Sequence, residues 1–139
     1  PDTAIVINAG GDLLHHGPEP LRVGIENPLR PYDNEPPVAE VQLIDAGLAT
    51  SGRARRGVRV AGRWHSHVID PRTASTDEAV ASISVVADDA ATADVVATIV
   101  GVIDPGEATT LATTFGVACL MIDDQGTHHA NEAWTALRV

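Results

Sequence analysis

The pattern of apolar and polar positions divides the chain into a β-rich first part and a mixed second part. Residues 4–7 are an apolar, β-branched run that stops at the turn-forming cluster Asn8-Ala9-Gly10-Gly11-Asp12. Leu13-Leu14-His15-His16 follows, and residues 21–25 alternate up to Asn27-Pro28. Four prolines between positions 28 and 37 predict a loop, because proline cannot donate to a sheet ladder. Residues 38–44 alternate as a half-buried strand does, and residues 48–52 form a short element ending at a glycine. Residues 58–69 read as a hairpin with a glycine-containing turn at Ala61-Gly62, stopped by Asp70-Pro71. Residues 80–87 predict a further strand. The period then changes. Asp88-Asp89 precedes an alanine-rich run, residues 90–100, that predicts a helix with an aspartate cap. Pro105-Gly106 closes that region, residues 107–115 predict a second helix, and residues 117–122 predict a buried strand. The tail from Thr127 onward carries no clear period.

The sum is an α+β fold: a mainly antiparallel sheet with one or two packed helices. At 139 residues the chain has the size of one domain and can bury a core without disulfides. Hydrophobic residues make up 44% and charged residues 20%, a globular balance. Aromatics are only 3%, so alanine and valine must fill much of the core. The net charge of -10 argues against nucleic acid and against an anionic membrane surface, both of which need positive charge. No apolar run approaches the length that spans a bilayer, and no signal peptide is visible. The single cysteine, Cys119, lies in an apolar run and reads as core.

Three features could carry chemistry. Asp94 sits in a helix apolar on nearly every side, which reads as a buried helix. Thr98 is four residues on and shares its face. A carboxylate beside a hydroxyl suits a hard cation such as Mg²⁺ or Ca²⁺; the alternative is that both residues form one solvated stripe. Six of the nine arginines (53, 55, 56, 59, 63 and 72) fall in one stretch, and the chain has no lysine. They could grip a phosphate-bearing ligand or form a solvated face pairing with surplus carboxylates. In His65-Ser66-His67, a strand would place both histidines on one side, as proton-transfer groups or as surface residues. The adjacent pairs His15-His16 and His128-His129 read as surface.

The order of these elements resembles a known family. Ser66-His67-Val68-Ile69-Asp70-Pro71-Arg72-Thr73 resembles the SH-(I/V)-I-D-P-R-T signature of the FAD:protein FMN transferases, the ApbE family. Ala49-Thr50-Ser51-Gly52, Asn8-Ala9-Gly10-Gly11-Asp12, Val23-Gly24-Ile25-Glu26-Asn27-Pro28 and Thr92-Ala93-Asp94-Val95-Val96-Ala97-Thr98 resemble four further motifs of that family, in its order. Ala74 stands where the family usually has glycine. The resemblance implies an α+β flavin-binding body of which residues 1–139 are a single domain, the C-terminal portion, with the N-terminal half absent. It implies transfer of FMN from FAD onto a Thr or Ser hydroxyl of a target flavoprotein, with Mg²⁺ and with release of AMP. It implies metal ligation by Asp94 and Thr98, proton transfer by His67, and a flavin nucleotide near Thr50, Ser51, Gly52, His67, Arg72 and Thr73. Partners would be FAD, the acceptor flavoprotein, and either a second copy or the absent half. The alternatives are a flavin-nucleotide binding module without catalysis and an assembly domain. Many members of the family are exported lipoproteins, and the compartment stays open, exported or cytoplasmic.

Overall fold

The computed structural model describes residues 3–52, 57–76 and 79–139, with backbone alone for Arg59, Arg63 and Trp64. Five antiparallel pairings join six strands in the order β1 (Ile5–Ala9), β2 (Asp12–His16), β5 (Ala46–Gly52), β8 (Val80–Ala87), β9 (Ala118–Asp123) and β10 (His128–Ala130). Between β2 and β5 the chain forms a separate two-stranded sheet of β3 (Leu21–Ile25) and β4 (Ala39–Leu43). Between β5 and β8 it forms a hairpin of β6 (Gly57–Val60) and β7 (Arg63–Ser66). Two helices, α1 (Ala90–Val100) and α2 (Pro105–Thr114), follow β8, and α3 (Glu132–Leu137) follows β10.

Two apolar clusters hold this arrangement from opposite sides of the main sheet. Ala49, Ile83, Val85, Cys119 and Met121 pack with Ala93, Val96, Ala97 and Val100 of α1 and with Ala108 and Ala112 of α2. Leu48, Val86, Ala118, Leu120 and Ile122 point the other way, into Ile25, Val41 and Leu43 of the small sheet and Trp134 of α3. Neighbouring residues of β5, β8 and β9 thus feed different clusters, as a two-residue period requires. All eight residues of β8 are buried. This is why β8 and β9 read as apolar runs, whereas β3 and β4 of the small sheet, each with an exposed side, alternate. Gly47 is fixed by the same packing: a Cβ there would run into the backbone of Asp89 and Ala90 at the start of α1. Burial pushes the Cys119 thiol up to about 12, so it stays a neutral core group.

Each helix begins at a side-chain cap. Asp89 Oδ1 accepts the Thr92 amide at 2.8 Å, Asp104 Oδ1 accepts the Gly106 amide at 2.9 Å, and Asn131 Oδ1 accepts the Trp134 amide at 3.0 Å. Pro105, expected in a turn, is instead in the first turn of α2, where its missing N–H costs nothing.

Four expectations are corrected. Among the described residues there are three helices, the third lying in the tail that showed no period. Helix α1 is not buried all round: Ala93, Val96, Ala97 and Val100 are buried, whereas Asp94, Val95, Thr98 and Ile99 are exposed. His15 is core rather than surface, because β2 lies inside the sheet between β1 and β5; its Nδ1 accepts the Asp45 amide at 3.3 Å. Strand β7 ends at Ser66, so His67 lies beyond it and does not share a strand face with His65. Among the described residues, no helix is long and apolar enough to cross a membrane.

Candidate functional site

One cleft of about 400 Å³ opens where four parts of the chain meet: the β1–β2 turn, strand β3, the end of β5 with His67, and α1. That volume lies in the range of small-molecule sites. Of the residues named from the sequence, Thr50, Ser51, Gly52, His67, Asp94 and Thr98 all line it. They come from positions as far apart as 50 and 98: the packing of α1 on β5 brings residues 50–52 to Asp94 and Thr98, and His67 arrives on the segment after β7.

Local structure sets each contribution. Asp94 and Thr98, four residues apart, lie on the exposed face of α1, one turn from each other. The Ser51 hydroxyl lies 3.4 Å from Thr98 Oγ1, which ties the end of β5 to that face. Thr50 points to the other side of β5 and is hydrogen-bonded to Ser84 Oγ at 2.8 Å. His67 is exposed and contributes an imidazole to the rim.

The lining also holds residues not picked out from the sequence as site residues. Gly10, Gly11 and Asp12 come from the β1–β2 turn. Both glycines have positive φ, 74° and 113°, and the Gly11 amide is held by Asn8 Oδ1 at 3.0 Å. The motif around Val23 to Pro28 supplies Val23, Gly24, Ile25, Glu26 and Pro28; Val23, Ile25 and Pro28 join Leu13 and Leu48 in an apolar wall. Both segments were visible as motifs, and only the fold shows that they face the cleft. Ser82 is a further addition. The residue lines the cleft, and its Oγ is buried with no hydrogen-bond partner among the described residues. A buried hydroxyl left so is a group for a ligand to satisfy.

Arg72 and Thr73 are not among the lining residues. Arg72 is folded back onto Asp70, and Thr73 Oγ1 lies 2.7 Å from Ser75 Oγ. Ala74 has a φ of +54°, the left-handed region that a glycine would take up without strain. Of the arginine patch, Arg53, Arg55 and Arg56 lie outside the described residues.

The charges of the lining bear on what could bind. Asp12, Glu26 and Asp94 supply three carboxylates, and among the described residues no Lys or Arg lines the cleft. A polyphosphate entering alone would meet like charge. A divalent cation resolves this, and the oxygen donors Asp94, Thr98 and Ser51 fit a hard one. Among the described residues, no three His, Cys, Asp or Glu side chains cluster as a self-sufficient metal cage. Asp94 and Thr98 could contribute a carboxylate and a hydroxyl to a hard cation such as Mg²⁺, which is commonly held by one or two carboxylates together with substrate phosphates.

Comparison with known proteins gives this geometry a context. The model of the ApbE family matches residues 3–121. The chain is 38% identical over 127 residues to an FAD:protein FMN transferase of Rhodobacter capsulatus, covering 87% of this chain and 23% of that one. It is 34% identical to an FAD:protein FMN transferase of Escherichia coli, covering 87% and 35%. Among solved structures, the ApbE protein of Thermotoga maritima superposes with a TM-score of 0.89 at 25% identity, covering 98% of this chain and 45% of that one. The chain thus spans between 23% and 35% of the length of these curated relatives.

Proposed function

The chain belongs to the ApbE family, and from that premise we propose that it forms the C-terminal portion of an FAD:protein FMN transferase site. In this reading FMN passes from FAD to a Thr or Ser hydroxyl of a target flavoprotein, and AMP leaves. The observation that carries it is convergence: Thr50, Ser51, Gly52, His67, Asp94 and Thr98 meet in one cleft.

The chemistry follows from the groups present. The acceptor oxygen forms a bond to the FMN-side phosphorus, and the bond from that phosphorus to the bridging oxygen breaks. The bridging oxygen departs with AMP. His67, exposed and lining the cleft, takes the hydroxyl proton as general base. Asp94 and Thr98 would hold Mg²⁺, which when bound offsets charge on the phosphate oxygens. The wall of Leu13, Val23, Ile25 and Leu48 offers apolar surface to a ring system. Ser82 Oγ and the backbone of the Gly10-Gly11 turn offer hydrogen bonds to the polar parts of the nucleotide.

The test is AMP release from FAD in the presence of an acceptor flavoprotein, followed by chromatography, first with Mg²⁺ and then with EDTA. Metal-dependent release that is lost in Asp94→Ala and His67→Ala supports the reading. Equal release by both variants overturns the assigned roles.

A further inference from the structure

The turn after His67 is closed on itself. The Asp70 amide donates to Ser75 O at 2.9 Å, and the Ala74 amide donates to Asp70 O at 2.8 Å. Asp70 is buried, and its carboxylate accepts three kinds of donor from Arg72: the backbone amide at 2.8 Å, Nε at 3.0 Å and Nη2 at 2.8 Å. The same Nη2 donates to Val102 O at 2.9 Å. Val102 directly follows Gly101, the cap at the C-terminal end of α1. Carbonyls there form the negative end of the helix dipole and favour a cation.

The Nε–Nη2 edge of Arg72 is therefore occupied by Asp70. That is one of the edges by which a guanidinium takes a phosphate in fork geometry. The bond to Val102 instead joins two segments that carry site residues. On one side is the segment of Ser66, His67 and Val68. On the other is the end of α1, where Thr98 precedes Val102 by four residues. A cavity of only about 20 Å³ separates them, lined by Ser66 and Val68 from the first and Thr98, Gly101 and Val102 from the second. It has room for about one water. Strands β6 and β7 pair with each other outside the main sheet, so the sheet ladder does not set the position of this segment.

We propose that Arg72 is a positioning residue: braced by Asp70, it fixes the His67 segment to the end of α1 and so sets the spacing between His67 and the Asp94–Thr98 face. This rests on the transferase reading for the role of His67, and it differs from the nucleotide contact that the sequence resemblance implies for Arg72.

The experiment compares Arg72→Ala, Asp70→Asn and the double variant in the full chain. Three readouts are taken: the dissociation constant for FAD with Mg²⁺, kcat for AMP release, and hydrogen exchange of residues 66–76 and 101–103. A misplacement of about 1 Å can cost about 100-fold in rate. The expected result is a loss of about 10- to 100-fold in kcat in either single variant, with FAD affinity within about twofold of the parent. The double variant should be no worse than the singles, because both remove one linkage. Exchange should rise in both segments together.

A tenfold or larger weakening of FAD binding in Arg72→Ala, absent from Asp70→Asn and multiplying in the double variant, would overturn the proposal and make Arg72 a phosphate ligand. Thermal melting checks folding, and Asp70→Asn provides a milder variant because it retains one side-chain acceptor for the turn. If the parent chain neither binds FAD nor releases AMP, the transferase reading fails. The exchange data still decide the linkage: unchanged exchange at 101–103 in Arg72→Ala would overturn it.

Discussion

The inner and outer faces of α1 are built from the same apolar vocabulary and put to different uses. The inner face, Ala93, Val96, Ala97 and Val100, is buried against β5 and β8. The outer face carries Asp94 and Thr98 between Val95 and Ile99, which are 55% and 44% exposed. Small residues inside let the helix approach the sheet closely, and Gly47 lets the β5 backbone reach its first turn. The outer face is left free to carry polar groups into the cleft. One helix thus packs against the sheet on one side and lines the cleft on the other.

Substitutions can separate the two faces. The largest effect is expected at Gly47→Ala, whose new methyl would collide with the backbone of Asp89 and Ala90. Such overpacking should cost at least about 1–3 kcal/mol and lower the melting temperature by several degrees. On the outer face, His67→Ala should slow AMP release by about 100- to 10,000-fold. Asp94→Ala should do so by more than about 100-fold. Both should leave the melting temperature close to that of the parent, because both residues are exposed. A large stability loss in Asp94→Ala would erase the contrast between the faces.

A weaker effect is expected at Asp123, at the end of β9. Its carboxyl is lowered to about 2, chiefly by the His129 imidazole at 3.0 Å and then by the Thr127 amide. A group whose folded pKa lies below its unfolded value stabilises the protein above the unfolded pKa. That contribution is lost as pH falls from the ordinary carboxylate range through about 2. Melting curves of Asp123→Asn and the parent should therefore differ at pH 6 and converge toward pH 2. The smallest effect belongs to Val95→Ser, which should change stability by less than about 0.5 kcal/mol as an exposed substitution. A larger loss would show that the outer face is packed as the inner one is.

Much of the fold was legible because local signals agreed with each other. The Asp89 cap and the alanine run marked α1 to the residue, and the β-branched stretch marked β8. What failed depended on long-range partners. Helix α3 has only six residues, and its capping Asn131 is held by the Cys119 amide at 3.0 Å and Val117 O at 2.8 Å. No local pattern reveals such contacts. The apolar character of Val95 and Ile99 predicted burial, but periodicity names no partner, and this chain leaves them exposed. His15 looked like surface beside His16 because adjacency in sequence does not show which strand is internal. For the site, the spacing of Asp94 and Thr98 was informative, since a helix makes that pair neighbours on its own. The meeting of Ser51 with Thr98, the unpartnered Ser82 hydroxyl and the attachment of Arg72 to Val102 needed the tertiary structure.

The central claim is that the outer face of α1 forms a metal-dependent nucleotide site. The most direct test is equilibrium binding of FAD, followed by flavin fluorescence, in Mg²⁺ and in EDTA, for the parent chain and Asp94→Ala. The account predicts binding that needs Mg²⁺ and is lost in Asp94→Ala. Equal FAD affinity in EDTA, or an unchanged affinity in Asp94→Ala, would contradict it.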